Sequence, residues 1–565
     1  MKKLVSVLMV VLCLTSVSQV IPNKDLVVQA LSPTGSDVTG LATAIDFTTG
    51  AVYTCGYINT VSSGKDLIVV KLDSNLVQQW VATYDFTSLD DKANAICIDA
   101  SGNVYVTGAS NQGSGNGDIV TIKYNSSGTQ QWVSRVNGTN NTNDQGNSIL
   151  FDGTNVWVTG YVTTASKGKD AIILKLNGST GATIAQPKRN GTANGDDIGE
   201  KICTDGTSVF ITGTTKNTTT NGDVFILCAN ISSATLTWSI SVNGTANGDE
   251  SGLDCLIDNG ELYVCGYTNN TTTGDDYYFA RIDKSTGAIN YSNTYDGGYN
   301  GSDMATSLVA DKIGDYGITG IVTNGSNTEY HTQLYTTSAL LWTHKQALNG
   351  SYTTNYPQIA MDTIAQHFYV CGSYYNSTLD GILYQIAPSG NKMWTQYHNG
   401  TNGNRDIFTD LVVDGLGRIF VCSPNETSTT NIYDYMVIRY SQTPVYMPVN
   451  YNMLADTFSM SHLYYPNSGE ILDTTSTFAS EVLFYTKFSH PKEYIMRNKV
   501  AFCQVKHDTD QTINAKDTLE RVDMIFDGAN EFSETFGEYF QDDAVLNYFL
   551  NYTGSSGLTN VAQAT

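Results

Sequence analysis

The stretch DASGNVYVTG (99–108) decides the fold, because it returns in recognisable form along most of the chain. Its second half has eight copies: AVYTCG (51–56), NVYVTG (103–108), NVWVTG (155–160), SVFITG (208–213), ELYVCG (261–266), DYGITG (315–320), HFYVCG (367–372) and RIFVCS (418–423). Their spacing is about 52 residues, a period that belongs to propellers and solenoids. An aspartate ends the apolar run before each copy, at Asp46, Asp99, Asp152, Asp205, Asp258, Asp311, Asp362 and Asp414. Turn residues such as Ser101-Gly102-Asn103 separate the two, so each pair reads as a hairpin whose Asp side chain bonds turn amides.

A third strand follows a second Asp, in DLIVVKLD from Asp66, DIVTIKYN from Asp118, DAIILKLN from Asp170 and DVFILCAN from Asp223. A fourth strand carries a large aromatic at Trp80, Trp132, Trp238, Tyr291, Trp342 or Trp394, with Ala185 at this place in the third unit. Four short strands with apolar residues for both faces make one blade, buried between its neighbours. The aromatic column is then packing between blades and not a sugar platform. The eighth unit lacks a fourth strand before Pro444, and the run Leu26-Val27-Val28-Gln29-Ala30-Leu31 supplies one. The expectation is an all-β, eight-bladed β-propeller closed by an N-terminal strand, with a seven-bladed ring as the alternative. Closure removes the open sheet edges that invite aggregation.

The units resemble the bacterial SBBP β-propeller repeat, with DASGNVYVTG (99–108) the nearest match, over about Asp37 to Gln442. The sixth unit departs most, with Thr328 in place of the third-strand Asp. The resemblance implies export and a propeller, and it implies no reaction.

The ends carry their own signals. Met1-Lys2-Lys3, the apolar run to Leu14 and small residues near Ser18 have the layout of a secretory signal peptide over 1–18. The propeller is expected over 19–442 and a linker over 443–470. A smaller β-rich or α+β domain follows over 471–565, where glycine thins and longer strand runs such as SEVLFYTKFS (480–489) appear. RVDMIFDGAN (521–530) resembles the opening of an uncharacterised domain found with SBBP repeats. That domain ordinarily runs further, so this chain is expected to be a piece of a larger surface protein, secreted or held at the cell surface.

A net charge of −24, from 30 basic and 54 acidic residues, repels nucleic acid and anionic lipid. No run approaches the ~20 apolar residues of a membrane span, so no membrane insertion is expected. Of the ten cysteines, Cys55, Cys265, Cys371 and Cys422 share a repeat column with Thr107, Thr159, Thr212 and Thr319. Interchange with Thr marks small buried thiols and not a disulfide framework.

Catalytic signatures are lacking: the chain has no nucleophile elbow, no His-Glu-x-x-His and no phosphate-cradling loop before a helix. All seven histidines lie after residue 330, which does not suit a His centre gathered from several blades. No catalytic residue and no cofactor are assigned. The motif NGTANGD, at 190–196 and 243–249, makes Asp196, Asp197 and Asp249 the calcium candidates, since Ca²⁺ takes oxygen ligands. Tyr57, Tyr267 and Tyr374 would favour carbohydrate binding if they gather on one rim. The expected function is a non-catalytic binding or scaffold module, a monomeric propeller within the larger chain, whose partner is a surface protein or glycan. Its alternatives are a polysaccharide lyase or hydrolase working at the channel, and a purely architectural spacer.

Overall fold

Alternating turn residues and apolar runs fold into antiparallel four-stranded sheets, each a meander of strands a to d. Blade 2 shows the plan: strand a is Asp91–Ile98, b Val104–Gln112, c Asn116–Tyr124 and d Gln130–Val136. The computed structural model describes residues 23–30 and 37–441, apart from short stretches within the loops, and nine strands between Tyr451 and Gly554. Two units result, one within 21–442 and one within 443–565, and each is described by itself.

The first unit is an eight-bladed β-propeller. Its blades span 37–84, 91–136, 145–189, 198–242, 251–295, 304–347, 358–398 and 410–441. The eighth blade takes its outer strand from Asn23–Ala30, which pairs antiparallel with Tyr433–Ser441 and sets Leu26 against Arg439. The expected closure by the N-terminal strand is therefore present, and the seven-bladed alternative falls. Strands a of successive blades touch one another all the way round, from Asp37–Ile45 to Asp410–Val413 and back. They line the central channel, whereas strands d form the exposed outer edge. Within the second unit, Glu481–Lys487, Lys499–Lys506, Thr518–Phe526 and Glu531–Glu534 form one antiparallel sheet.

The hairpin aspartates do what the turn chemistry requires. Asp99 accepts the amides of Ser101 and Asn103, each at 2.9 Å, and the Tyr105 hydroxyl at 3.0 Å. Asp152, Asp205 and Asp414 repeat the arrangement.

The aromatic column clasps blade to blade. Trp80, Trp132, Trp238 and Trp342 each donate Nε1–H to a carbonyl 46 residues on, in the c–d turn of the next blade: Ser126, Gly178, Lys284 and Pro388, at 2.8–3.2 Å. Each indole lies flat on a turn glycine, Gly128, Gly181, Gly287 or Gly390, where a side chain would collide with the ring. Lys71 and Lys123, beside Trp80 and Trp132, add their ammonium groups to the same carbonyls. Blade 3, with Ala185 in the column, relies on Lys175 alone, which donates to Ile231 and Ser232 at 2.6 and 2.8 Å. Its outer strand is split into Thr183–Ala185 and Lys188–Arg189 because Pro187 lacks the N–H that the ladder needs.

Eight described cysteines, including Cys55, Cys265, Cys371 and Cys422, are free thiols. Cys265 and Cys371 are fully buried, and burial holds their thiols well above the usual range.

Candidate functional site

Two rings of polar residues organise the propeller, one in the channel and one at the end where strand b gives way to strand c. The inner strands of blades 1 to 6 carry a β-bulge, at Ala93/Ala95 in blade 2 for example. A bulge re-aims side chains. The bulged Asn94 and Asn147 donate to Gly146 and Gly199 of the following blade, each at 3.0 Å. One position later, side chains accept an amide from the next inner strand: Ser148 from Ile202, Asp254 from Leu308, Ser307 from Ile359 and Asp410 from Thr43. The last bond, 2.7 Å long, joins blade 8 to blade 1 with the geometry used between other blades.

This column holds the ionisable groups of the channel. Lys201 pairs with Asp254 at 3.2 Å, and that carboxylate keeps the ammonium charged. Asp254 also takes the Cys255 and Leu308 amides, and Asp410 takes those of Thr43 and Leu411. Burial pushes Asp410 up to about 6 and Glu200 up to about 7. These carboxylates stitch the ring together.

The second ring caps the loops. Asp91, Asp144, Asp197, Glu250 and Asp303 head the inner strands of blades 2 to 6 and are fully or almost fully buried. Asp303 takes the amide of Gly297 from the preceding d–a loop at 2.7 Å and that of Thr323 from the end of its own strand b at 2.9 Å. Asp144 binds Gly138 and Thr163 in the same way, and Asp197 binds Gly191 and Lys216. Asp91 takes the Phe86 amide at 2.9 Å. Asp144, Asp197 and Asp303 thereby each tie two chain segments, at the expense of burying charge. Burial pushes Asp91 and Asp303 up to about 6 and Glu250 up to about 7.

Sequence reading placed its calcium candidates in these loops. Asp197 is a buried loop tie, whereas Asp196 and Asp249 are exposed and accept the amides of Lys169 and Gly222 at 3.1 and 2.8 Å. Asp249 also lies 3.7 Å from the Lys216 ammonium. The three do not converge as ligands among the described residues. The acids that do converge are Asp276, Asp296 and Asp303, with oxygens within 4.8 Å of one another.

The tyrosines fall in register. Tyr57, Tyr161 and Tyr267 directly follow the signature glycine in blades 1, 3 and 5, at the loop-tied end. Lys65 and Lys92 stand over the Tyr57 ring, 4.5 and 5.5 Å from its centre, and Lys169 stands 4.2 Å over Tyr161. Burial and the neighbouring Lys65 lower the Lys92 ammonium below its ordinary value. Between blades 2 and 3 lies a polar cavity of about 200 Å³ lined by Asp90, Lys92, Asn94, Asp144 and Tyr161 among others. Tyr374 sits one position further on and packs against Tyr397, 4.7 Å between ring centres.

A histidine relay escaped the sequence reading. His331, fully buried, places Nε2 2.9 Å from a Glu329 oxygen and Nδ1 3.1 Å from the Tyr295 hydroxyl. Burial lowers its pKa, so the ring is neutral: it donates Nε2–H to Glu329 and accepts the Tyr295 O–H at Nδ1. Glu329 and His331 share one strand face at a spacing of two, but nothing in the sequence points to Tyr295, 36 residues earlier.

No protein-family model and no curated protein matches the sequence. Solved structures that resemble the fold include Sqt1 of Chaetomium thermophilum bound to the N-terminus of the ribosomal protein L10. It is 12% identical, with 72% of this chain and 98% of that one covered and a TM-score of 0.45. The quinohemoprotein alcohol dehydrogenase of Comamonas testosteroni is 10% identical, over 78% of this chain and 80% of its own, at a TM-score of 0.43. The Dos1 propeller is also 10% identical, over 74% and 94%, at a TM-score of 0.43.

Proposed function

We propose that this chain is a non-catalytic binding module of the cell exterior whose recognition surface is the loop-tied end of the propeller, and that its ligand is a glycan bearing carboxylates. The observation that carries this reading is the gathering of Lys65, Lys92 and Lys169 over Tyr57 and Tyr161 in a chain of net charge −24. A uronate offers a sugar face to an aromatic ring and a carboxylate to an ammonium group, the two chemistries brought together here. The buried carboxylates behind this surface fix its loops, which lowers the ordering cost of binding. The resemblance of the units to the SBBP repeat supports an exported, surface-exposed setting, and an architectural role for the remaining blades is compatible with it.

The test is a binding screen of the full chain against uronate-rich and neutral polysaccharides, followed by Lys92→Ala and Tyr57→Ala. Saturable binding to the acidic polymers, weakened tenfold or more by either substitution and reduced by salt, is the expected result. Binding that ignores both substitutions refutes the assigned surface, and no binding to any glycan turns the reading to a protein partner or a spacer.

A further inference from the structure

We infer that Asp276, Asp296 and Asp303 form a divalent-cation site, best suited to Ca²⁺, at the junction of blades 5 and 6. Asp276 opens strand c of blade 5, Asp296 lies in the following d–a loop, and Asp303 heads strand a of blade 6. One oxygen from each lies within 4.8 Å of the others. Carboxylate oxygens are what a hard cation selects.

The independent sign of a ligand is an orphaned atom. Asp276 is 4% exposed, and its Oδ2 accepts from Asn270 at 2.8 Å and Thr273 at 2.7 Å. Its Oδ1 is buried without any hydrogen-bond partner. A buried carboxylate oxygen left in that state is costly unless a cation or proton meets it.

The repeat supplies internal controls. At the junctions after blades 2, 3 and 4, the position of Asp296 is filled by the neutral Asn137, Asn190 and Asn243. Only after blade 1 does an aspartate, Asp85, stand there, beside Asp66 and Asp91. That junction has an arginine: Arg135 pairs with Asp118 at 3.0 Å, lies 3.8 Å over the Phe86 ring and draws Asp91 toward its charged form. At the junction of blades 5 and 6 the register of Arg135, opposite Val120, is held by Lys345, opposite His331. No lysine or arginine forms an ion pair with Asp276, Asp296 or Asp303 among the described residues. One junction thus has an ion-paired arginine beside its acids, whereas the lysine at that register in the other acts on Glu329 and His331 and pairs with none of the three among the described residues.

The site is independent of the glycan surface, and its test uses calcium alone. The full chain, stripped with chelator, is titrated with Ca²⁺ by calorimetry at pH 7.5, and Tb³⁺ luminescence is excited through tyrosine, with Tyr295 adjacent to Asp296. Asp296→Asn installs the residue that three sister junctions carry, so it is expected to leave the fold intact. The expected result is uptake that Asp296→Asn and Asp276→Asn each weaken at least tenfold, together with loss of the Tb³⁺ signal, while Asp85→Asn changes neither. Absence of Ca²⁺ uptake by the unaltered chain overturns the inference. Uptake of equal strength in both variants overturns it as well, by placing the ion elsewhere.

Discussion

Replacing Gly287 by Ala tests whether the indole clasp holds neighbouring blades together, because Gly260 in the same blade provides a matched control. Both glycines have left-handed backbone, with φ of +77° and +80°. Alanine at either position therefore adds strain of about 1 kcal/mol. The surroundings differ: a Cβ at Gly260 meets nothing within 4 Å, whereas one at Gly287 falls 2.7 Å from Cε3 of Trp238 in the preceding blade. Carbon atoms rest about 3.5–4.0 Å apart, so the indole must retreat by roughly 1 Å. That movement breaks the 3.0 Å bond from Trp238 Nε1 to the Lys284 carbonyl. A bond of this kind contributes about 1 kcal/mol, and the lost ring packing adds a similar amount. Gly260→Ala should cost about 1 kcal/mol and Gly287→Ala about 3. For a propeller of this size 1 kcal/mol moves Tm by only about 1 °C, so urea unfolding followed by tryptophan fluorescence is the better readout. Equal losses in the two variants would refute the clasp as a source of stability.

Further outcomes follow from buried charge, thiols and closure. Asp91, Asp303 and Glu250 have folded pKa values raised by burial, to about 6, 6 and 7. Their contribution is full below their ordinary values and is lost as pH rises through 6–7, so in chelator the urea midpoint should rise from pH 8 to pH 5. His344, which burial lowers to about 4, opposes this: its stabilisation is present above its ordinary value of 6.5 and is lost as pH falls toward 4. Saturating Ca²⁺ should flatten the part of the profile that belongs to Asp303; a midpoint that falls steadily from pH 8 to pH 5 would contradict the reading. The eight described cysteines should resist a thiol reagent in the folded chain and react on unfolding, with no change of midpoint on adding reductant. Deleting residues 23–30 bares the edge of Tyr433–Ser441 and should produce oligomers by light scattering, whereas a monodisperse monomer would argue that closure does not depend on this strand.

The fold was legible because blade geometry imposes a rigid period. The hairpin Asp, the signature strand, the third strand and the Trp column recur at fixed offsets, and Asp99, Trp80 and Leu26 stand where the sequence places them. The loop ties were less legible. Their connecting loops vary in length and are rich in Asp, so NGTANGD directed attention to Asp196, Asp197 and Asp249 as metal ligands, whereas Asp197 is a buried loop tie and its counterpart in the next blade, Glu250, was not singled out. Nothing in hydropathy separates an exposed Asp from a buried neighbour when both sit in a turn. Asp296 was harder still, since it differs from Asn137 by one atom type, and its meaning depends on Asp276 and Asp303, whose oxygens the fold brings within 4.8 Å of its own.

In a chain built from one repeated unit, positions that all blades share explain the architecture, and positions where one blade departs are where a particular function can reside. The strand b column admits little but Thr and Cys, whereas the strand a column facing it reads Ala42, Ala95, Ser148, Lys201, Asp254, Ser307, Gln358 and Asp410 around the ring. Side chains that open on the channel escape the two-sided packing that fixes the rest of a blade, so this lining can change without cost to the core. The same holds at the loop-tied end, where Lys65, Lys92 and Lys169, from three blades, ride over the tyrosines of two and Asp296 replaces an asparagine in another. A ligand that touched only the shared residues would meet eight equivalent sites; one that needs the lysines meets a single sector of the ring, spanning blades 1 to 3. Substitutions that remove what sets blade 1 apart from its sisters, such as Lys65→Ala where blades 2 and 4 carry Gly117 and Gly222, should therefore weaken ligand binding while leaving the unfolding midpoint unchanged.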